Sequence, residues 1–401
     1  MPLRVGLVVP HIFMHEAILP HVLFSPGELA LNLANGLVKE GIHVTLLTPG
    51  PVRTSAATVT ADLSLFEREL AGRGDTYVDL LKKHPFTFVT LARQVQSELV
   101  AKAYEMANSN ELDIIHIYTN EEEIALPFAS LCNKPVVLTH HDPYNFLIKY
   151  KSVFPKYKHL NWLSMSLAQR SSMPEGTNWV ANIYHGIDPL HYQPSTNPTA
   201  DYLVFLGRII SPKGLDIAIG ALKSYNRTHH TKYKLKIAGK HYAGKKDAYW
   251  QDQIMPHIDG DEVQFLGFIR DTKEKAELLK NAAALLIPST FEEPFGMVMI
   301  ESLACGTPII GLDSGAIPEV IEDGKTGIIV QKQLQDITAT NGNALDREAT
   351  VAAFTKAIEG IEHLDRGVCR ISFERRFTLD RMVKEHLQAY QRLVTGSPGE
   401  L

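Results

Sequence analysis

Cysteine is scarce in this chain. The three present, Cys132, Cys305 and Cys369, are scattered along its length, which excludes a disulfide framework and a cysteine-rich zinc site. Long apolar runs are missing as well. No stretch approaches the roughly 20 residues of a membrane span, and the opening PLRVGLVVP is only strand-length. It lacks a small-residue cleavage site and is soon followed by His11 and His15, so it does not read as a signal peptide. There is no basic surplus either: 40 Lys and Arg stand against 45 Asp and Glu, a net charge of −5, so nothing calls for nucleic acid as a partner. Repeats and low-complexity tracts are absent. These absences predict a reducing, cytoplasmic setting, with peripheral membrane contact permitted but not indicated.

What the sequence does have is ordinary globular material, 45% hydrophobic and 21% charged over 401 residues. That length exceeds the size at which a single core stops growing, so two domains are expected. The first forty residues alternate strand, loop, helix and strand. RVGLVVP and IHVTLLTPG are continuous apolar runs, as in parallel sheets covered on both faces. Between them Leu29, Leu33 and Leu37 recur at helical spacing and Gly41 stands where a helix stops. DIIHIYT and KPVVLTHHD read as further strands. Residues 186 to 200, GIDPLHYQPSTNPTA, hold three prolines and no period, which reads as a linker. Alternation then restarts through YLVFLG, GLDIAIGALKSYN, YKLKIAG, VQFLGFI, TKEKAELLKNA, ALLIPS, GMVMIESLACG, TPIIGLD and TGIIV. The expectation is α/β throughout: a domain over 1–190, a second over 200–376, and a C-terminal helix over 377–395, with Met382, Leu387, Tyr390 and Leu393 on its apolar side, packing back on the first. Two doubly wound domains would face one another across a cleft, and ligands in such sheets gather at the carboxyl ends of strands.

FEEPFGMVMIE raises the question of chemistry. Pro294 pushes Glu293 out of helical geometry, whereas a helix starts near Gly296 and carries Glu301. Eight helical steps span about 12 Å, beyond the roughly 5 to 9.5 Å of a hydrolase's carboxylate pair. The amides of Gly296, Met297 and Val298 would form a helix end beside a strand end, a natural seat for phosphate. The plainer reading is that Glu293 complements the helix dipole and Glu301 is solvated. In FLGRIISPKG, Arg208 and Lys213 straddle a strand-to-helix loop and suit the two phosphates of a diphosphate, although each alone reads as a surface charge. Ser314 and Gly315, in LDSGAIPEV, form either an anion-binding turn or a simple one. Gly27, in SPGE before the first helix, allows close approach of a substrate, and His140 and His141 leave a strand end as either packed residues or substrate contacts. Asp259 to Asp261, DGD, reads as a surface turn rather than a metal pair. FLIKYKSVFPKYKHLNW reads as a solvated loop with snorkelling lysines rather than a membrane surface.

EPFGMVMIE, followed by CGTPIIGLDSGAIPEVIEDGKTGIIV, together with GRIISPKG and YHGID, resembles the family 4 retaining glycosyltransferases, whose two Rossmann-like doubly wound domains form the GT-B fold. EPFGMVMIE matches the family's Glu-x7-Glu motif; His185 stands where the family usually has Asn. The resemblance implies that Arg208 and Lys213 neutralise the donor diphosphate. Glu301 would take the ribose hydroxyls, Glu293 would lie by the donor sugar, and Gly296, Met297 and Val298 would present amides. By the same resemblance Phe268 meets the nucleobase through its backbone, His141 stands beside the transferring sugar, and Gly27 meets the donor phosphates, with Pro26 where the family usually has a second glycine. The implied activity is metal-independent, retaining hexosyl transfer from a nucleoside-diphosphate sugar to an unidentified sugar, lipid or small-molecule hydroxyl, with no further cofactor. UDP-hexose is the first donor expectation and GDP-mannose the next. A nucleotide-sugar epimerase, a sugar phosphorylase and a non-catalytic nucleotide-sugar scaffold remain open on the same fold.

Overall fold

A computed structural model of the chain describes residues 2–22, 24–118, 122–144, 146–230, 232–241, 247–335 and 344–396. The chain forms two compact units, Met1–Tyr184 with Leu379–Leu401, and His185–Thr378.

The first unit is built on a seven-stranded sheet. Its strands are β1 (Arg4–Val8), β2 (His43–Thr48), β3 (Ala57–Thr60), β4 (Ile114–Tyr118), β5 (Val136–Thr139), β6 (Asn161–Ser164) and β7 (Trp179–Asn182). They lie in the order β3-β2-β1-β4-β5-β6-β7, and every pairing is parallel. Parallel neighbours need crossover connections that cover the sheet faces, and β4 and β5 are accordingly buried at every position. The helix Ser25–Lys39 makes the first crossover, burying Leu29, Leu33 and Leu37. Strand order reverses between β1 and β4, the switch point of this sheet.

The second unit repeats the plan with six strands: β8 (Tyr202–Leu206), β9 (Lys234–Ala238), β10 (Val263–Gly267), β11 (Ala284–Ile287), β12 (Ile309–Leu312) and β13 (Gly327–Val330). Their order is β10-β9-β8-β11-β12-β13, again all parallel. This sheet reverses between β8 and β11, which sets the loops after those strands side by side.

Three strands of the first sheet carry no long apolar run in the sequence and were not expected. β3 is an exposed edge of Ala and Thr, and β6 and β7 are four residues each. The C-terminal helix, Leu379–Thr395, buries two of the four residues anticipated, Met382 and Tyr390. Met382, Val383, His386, Ala389 and Tyr390 are buried, while Leu387 and Leu393 are only half-buried. A buried histidine broke the apolar period on which the expectation rested. The unit boundary falls at Tyr184/His185 rather than at 190. The stretch beyond it is no free linker: Tyr192 is buried, and its carbonyl accepts from Arg370 Nη1 at 2.6 Å.

In FLIKYKSVFPKYKHLNW the aromatics Tyr150, Phe154 and Trp162 belong to the core, and Lys149 is held by Glu123. Ile148 and Phe146 stand exposed. Among the described residues no helix is long and apolar enough to cross a membrane.

Candidate functional site

The switch point of the second sheet gathers the charged residues. The loop after β8 ends in a short turn, Ser211–Lys213, and the loop after β11 is laced to it. Thr290 N donates to Pro212 O at 2.8 Å and Phe291 N to the same oxygen at 3.2 Å. Gly214 closes the first loop at φ 70°, and a Cβ there would lie 2.1 Å from Pro288 O, so no other residue lets the loops meet. Their contact joins Lys213 Nζ to Glu293 Oε1 in an ion pair that is largely buried on both sides. Ser289 Oγ donates to the same carboxylate oxygen at 2.8 Å.

A third loop, after β12, locks Glu293 from the other side. Ala316 N donates to Glu293 O at 2.8 Å, and Ser314 Oγ to Phe291 O at 3.0 Å. Gly315, at φ 54°, lies so close that a Cβ would stand 2.4 Å from the backbone of Glu293. Its amide donates to Glu292 Oε2 at 2.8 Å. The loop is a turn whose Gly315 and Ala316 amides are already engaged, by Glu292 and by the Glu293 carbonyl.

Glu301 lies on the helix Met297–Ala304 and is buried. Its Oε1 accepts from Lys275 Nζ at 2.5 Å and from Tyr192 Oη at 2.9 Å, while its Oε2 is buried and, among the described residues, has no hydrogen-bond partner. Each glutamate therefore has its own lysine, and the two carboxylates do not form a couple. Gly296, at φ 94°, caps this helix, and its first turn leaves amides without intrahelical partners beside Glu293. Lys275, Tyr192 and Ser289 were not singled out in the sequence. Lys275 sits in TKEKAELLKNA among other helical lysines, and Tyr192 in a stretch read as linker.

Arg208 follows β8 by two residues and is exposed; among the described residues no hydrogen bond or ion pair engages its guanidinium. Phe268 follows β10 directly, half-buried, with the Arg270 guanidinium 5.6 Å from its ring centre. Asp259 Oδ1 accepts from Asp261 N and Val263 N at 2.9 and 3.0 Å, the expected turn. Among the described residues no group of three or more His, Cys, Asp or Glu is placed to hold a metal ion.

The corresponding strand ends of the first unit are of another kind. Gly27 lies inside the helix Ser25–Lys39, not before it, and is buried. A Cβ there would come within 2.6 Å of Met14 Sδ and 2.7 Å of Phe24 Cδ1. The closeness that Gly27 permits is thus taken by the protein's own side chains, which corrects the expectation of an open substrate approach. His140 packs among Tyr144, Tyr150 and Phe154 with ring centres 4.5 to 5.3 Å away, and burial lowers its pKa to about 3. That is the packed alternative. His141 is buried with its ring 4.6 Å from that of Tyr118, edge to face. Behind Tyr118, His116 Nδ1 shares a 2.7 Å hydrogen bond with Tyr390 Oη, and its Nε2 shares one of 2.8 Å with Thr139 Oγ1.

The comparisons agree with this architecture. Residues 188–357 match the family described as Glycosyl transferases group 1, and residues 27–173 match Glycosyltransferase Family 4. A glycogen synthase of Mycobacterium tuberculosis is 32% identical over 181 residues, 44% of this chain; the chain spans only 42% of that relative's length. Among solved structures, sucrose-phosphate synthase from Thermosynechococcus elongatus superposes with a TM-score of 0.73 at 17% identity, covering 98% of this chain and 100% of that one. Anabaena HepE, solved with UDP and glucose, does so with a TM-score of 0.63 at 16% identity, covering 97% and 99%. Two parallel sheets in this order, with both family matches falling on them in sequence, make the chain a member of the family 4 glycosyltransferases with the GT-B fold.

Proposed function

We propose that the protein transfers a hexose from a nucleoside-diphosphate sugar to an acceptor hydroxyl with retention of configuration, using its own cations in place of a metal. The observation that carries this reading is the convergence in the second unit of Lys213, Glu293 and the open amide end of Met297–Ala304, with Arg208 exposed and unengaged on the same loop as Lys213. Such a set matches a diphosphate joined to a sugar. Arg208 and Lys213 face the phosphates, the amides of Gly296, Met297 and Val298 add partial positive charge, and Glu293 accepts from sugar hydroxyls. Glu301 accepts from the ribose, and the backbone at Phe268 borders the base.

In the reaction the bond from the sugar's anomeric carbon to the phosphate oxygen breaks. The acceptor oxygen bonds to that carbon on the same face, and its proton passes to the departing diphosphate. Negative charge grows on the leaving group, where preorganised donors count most. No covalent nucleophile is required. From the first unit, His141 enters as the residue beside the transferring sugar that the family resemblance implies. That HepE is solved with UDP and glucose supports a UDP-hexose donor, with GDP-mannose the next choice.

A thermal-shift screen of nucleoside diphosphates and their sugars identifies the donor. A ligand at 100 times its dissociation constant adds about 2.7 kcal/mol. Arg208→Ala is expected to lower donor hydrolysis and transfer by roughly 10² to 10³ and Glu301→Ala to abolish them, and full activity in either variant would refute the assignment. Incubation of the donor with inorganic phosphate, or with no acceptor, separates transfer from phosphorolysis and epimerisation by product.

A further inference from the structure

The two oxygens of the Glu301 carboxylate live in different surroundings. Oε1 is doubly engaged, by the Lys275 ammonium at 2.5 Å and the Tyr192 hydroxyl at 2.9 Å, and Oε2 is buried with no hydrogen-bond partner among the described residues. Buried polar atoms are nearly always satisfied, so an orphaned carboxylate oxygen asks for an explanation. Here three separate segments meet at one oxygen: Tyr192 from the entry into the second unit, Lys275 from the helix Thr272–Lys280 after β10, and Glu301 from the helix after β11. The carboxylate cannot turn without losing both contacts.

We propose that Lys275 and Tyr192 are positioning residues that saturate Oε1 so that Oε2 alone is presented to the vicinal diol of a ribonucleotide. This rests on the reading of Glu301 as the ribose acceptor. Two neighbouring hydroxyls supply the donors that Oε2 lacks, whereas a sugar without them leaves the buried oxygen unsatisfied. The arrangement therefore selects ribonucleoside over deoxyribonucleoside diphosphates. Lys275 enforces that selection through the charge and angle it imposes on Glu301, without touching the nucleotide.

The test compares binding of UDP and GDP with that of their 2′,3′-dideoxy forms, by calorimetry, in the full chain and in Lys275→Met, Lys275→Arg, Tyr192→Phe and Glu301→Gln, with Tm recorded for each. The unsubstituted protein is expected to prefer the ribo form by roughly ten- to a hundred-fold, as for hydrogen bonds to a charged group. Lys275→Met is expected to reduce that preference to within about threefold, Tyr192→Phe to reduce it in part, and Lys275→Arg to restore most of it. A purely structural lysine would lower Tm and leave the preference intact, so an unchanged preference in Lys275→Met overturns the inference. The underlying reading fails separately: if Glu301→Gln keeps the full preference, or the unsubstituted protein has none, Glu301 does not receive the ribose.

Discussion

The two sheets share one topology, parallel strands with a single reversal of order, yet the residues at their switch points differ in kind. In the second unit opposite charges are paired, Lys213 with Glu293 and Lys275 with Glu301. The first unit has rings there instead: His116 and His141 both pack against Tyr118, His116 also against Tyr390, and His140 against Tyr150. Burial holds His116 and His140 well below their ordinary pKa and raises those of Tyr118 and Tyr390, so these four groups are uncharged at neutral pH. The difference teaches that the fold supplies only the place where a ligand is met. A charged lattice suits a ligand of fixed charge such as a diphosphate, and neutral rings suit hydroxyl-bearing sugars of varied identity.

The largest effect expected from breaking the charged side is Glu293→Ala. It leaves Lys213 partly buried and without its carboxylate, which costs about 3 to 5 kcal/mol for a buried pair. Denaturant unfolding of the second unit measures it. Double replacement, Glu293→Ala with Lys213→Met, is expected to recover much of the stability without recovering transfer, and a double variant no more stable than the single one would show that the pair is not what holds the loops.

Arg208→Ala comes next and separates chemistry from stability. Its guanidinium is exposed, so stability is expected to stay within about 0.5 kcal/mol of the unsubstituted protein. Turnover is expected to fall by roughly 10² to 10³, the usual loss when one donor to developing charge is removed. A fall in Tm with turnover unchanged would reverse the roles assigned to Arg208 and Lys213.

How much of this was legible in the sequence follows the same division. Strands that are continuous apolar runs, RVGLVVP in the first sheet and YLVFLG in the second, announced both sheets because a strand covered on two faces has no polar position to hide. Glu293, Glu301, Arg208 and Lys213 were legible as motif residues at short spacing. The Lys213–Glu293 contact spans 80 positions and Tyr192–Glu301 spans 109, and no local pattern encodes such a meeting. Tyr192 hid among prolines that read as linker. His386 hid because a buried histidine interrupts an apolar stripe. Gly27 misled because a glycine shows that something comes close, not whether it is ligand or protein.

Acid is expected to act on the neutral side first. His140 titrates at about 3, and His11 and His386 at about 4, each lowered chiefly by burial from an ordinary value of 6.5. The unfolded chain therefore takes up these protons before the folded one does. Their contribution is whole above pH 6.5 and is lost as the pH falls toward 4 and 3, by about 1.4 kcal/mol per pH unit for each histidine. Hydrogen exchange at pH 7.5 and pH 5, read unit by unit, is expected to show the first unit opening more readily at the lower pH. Equal change in both units would remove the contrast.

Tyr390→Phe gives the smallest effect and sharpens the contrast most. It removes one hydroxyl from the C-terminal helix and leaves the ring, so packing against His116 persists while the 2.7 Å hydrogen bond to His116 Nδ1 is lost. His116 keeps its bond to Thr139 at Nε2, and a buried ring nitrogen without a partner costs about 1 to 3 kcal/mol. Nucleoside diphosphate binding is expected to be unchanged, since every residue assigned to the diphosphate lies in the second unit. Chemical denaturation and calorimetric titration with UDP on the same sample measure both quantities. Stability lost with affinity retained fits a neutral cluster whose work is structural, and weakened UDP binding would show that the two switch points do not act independently.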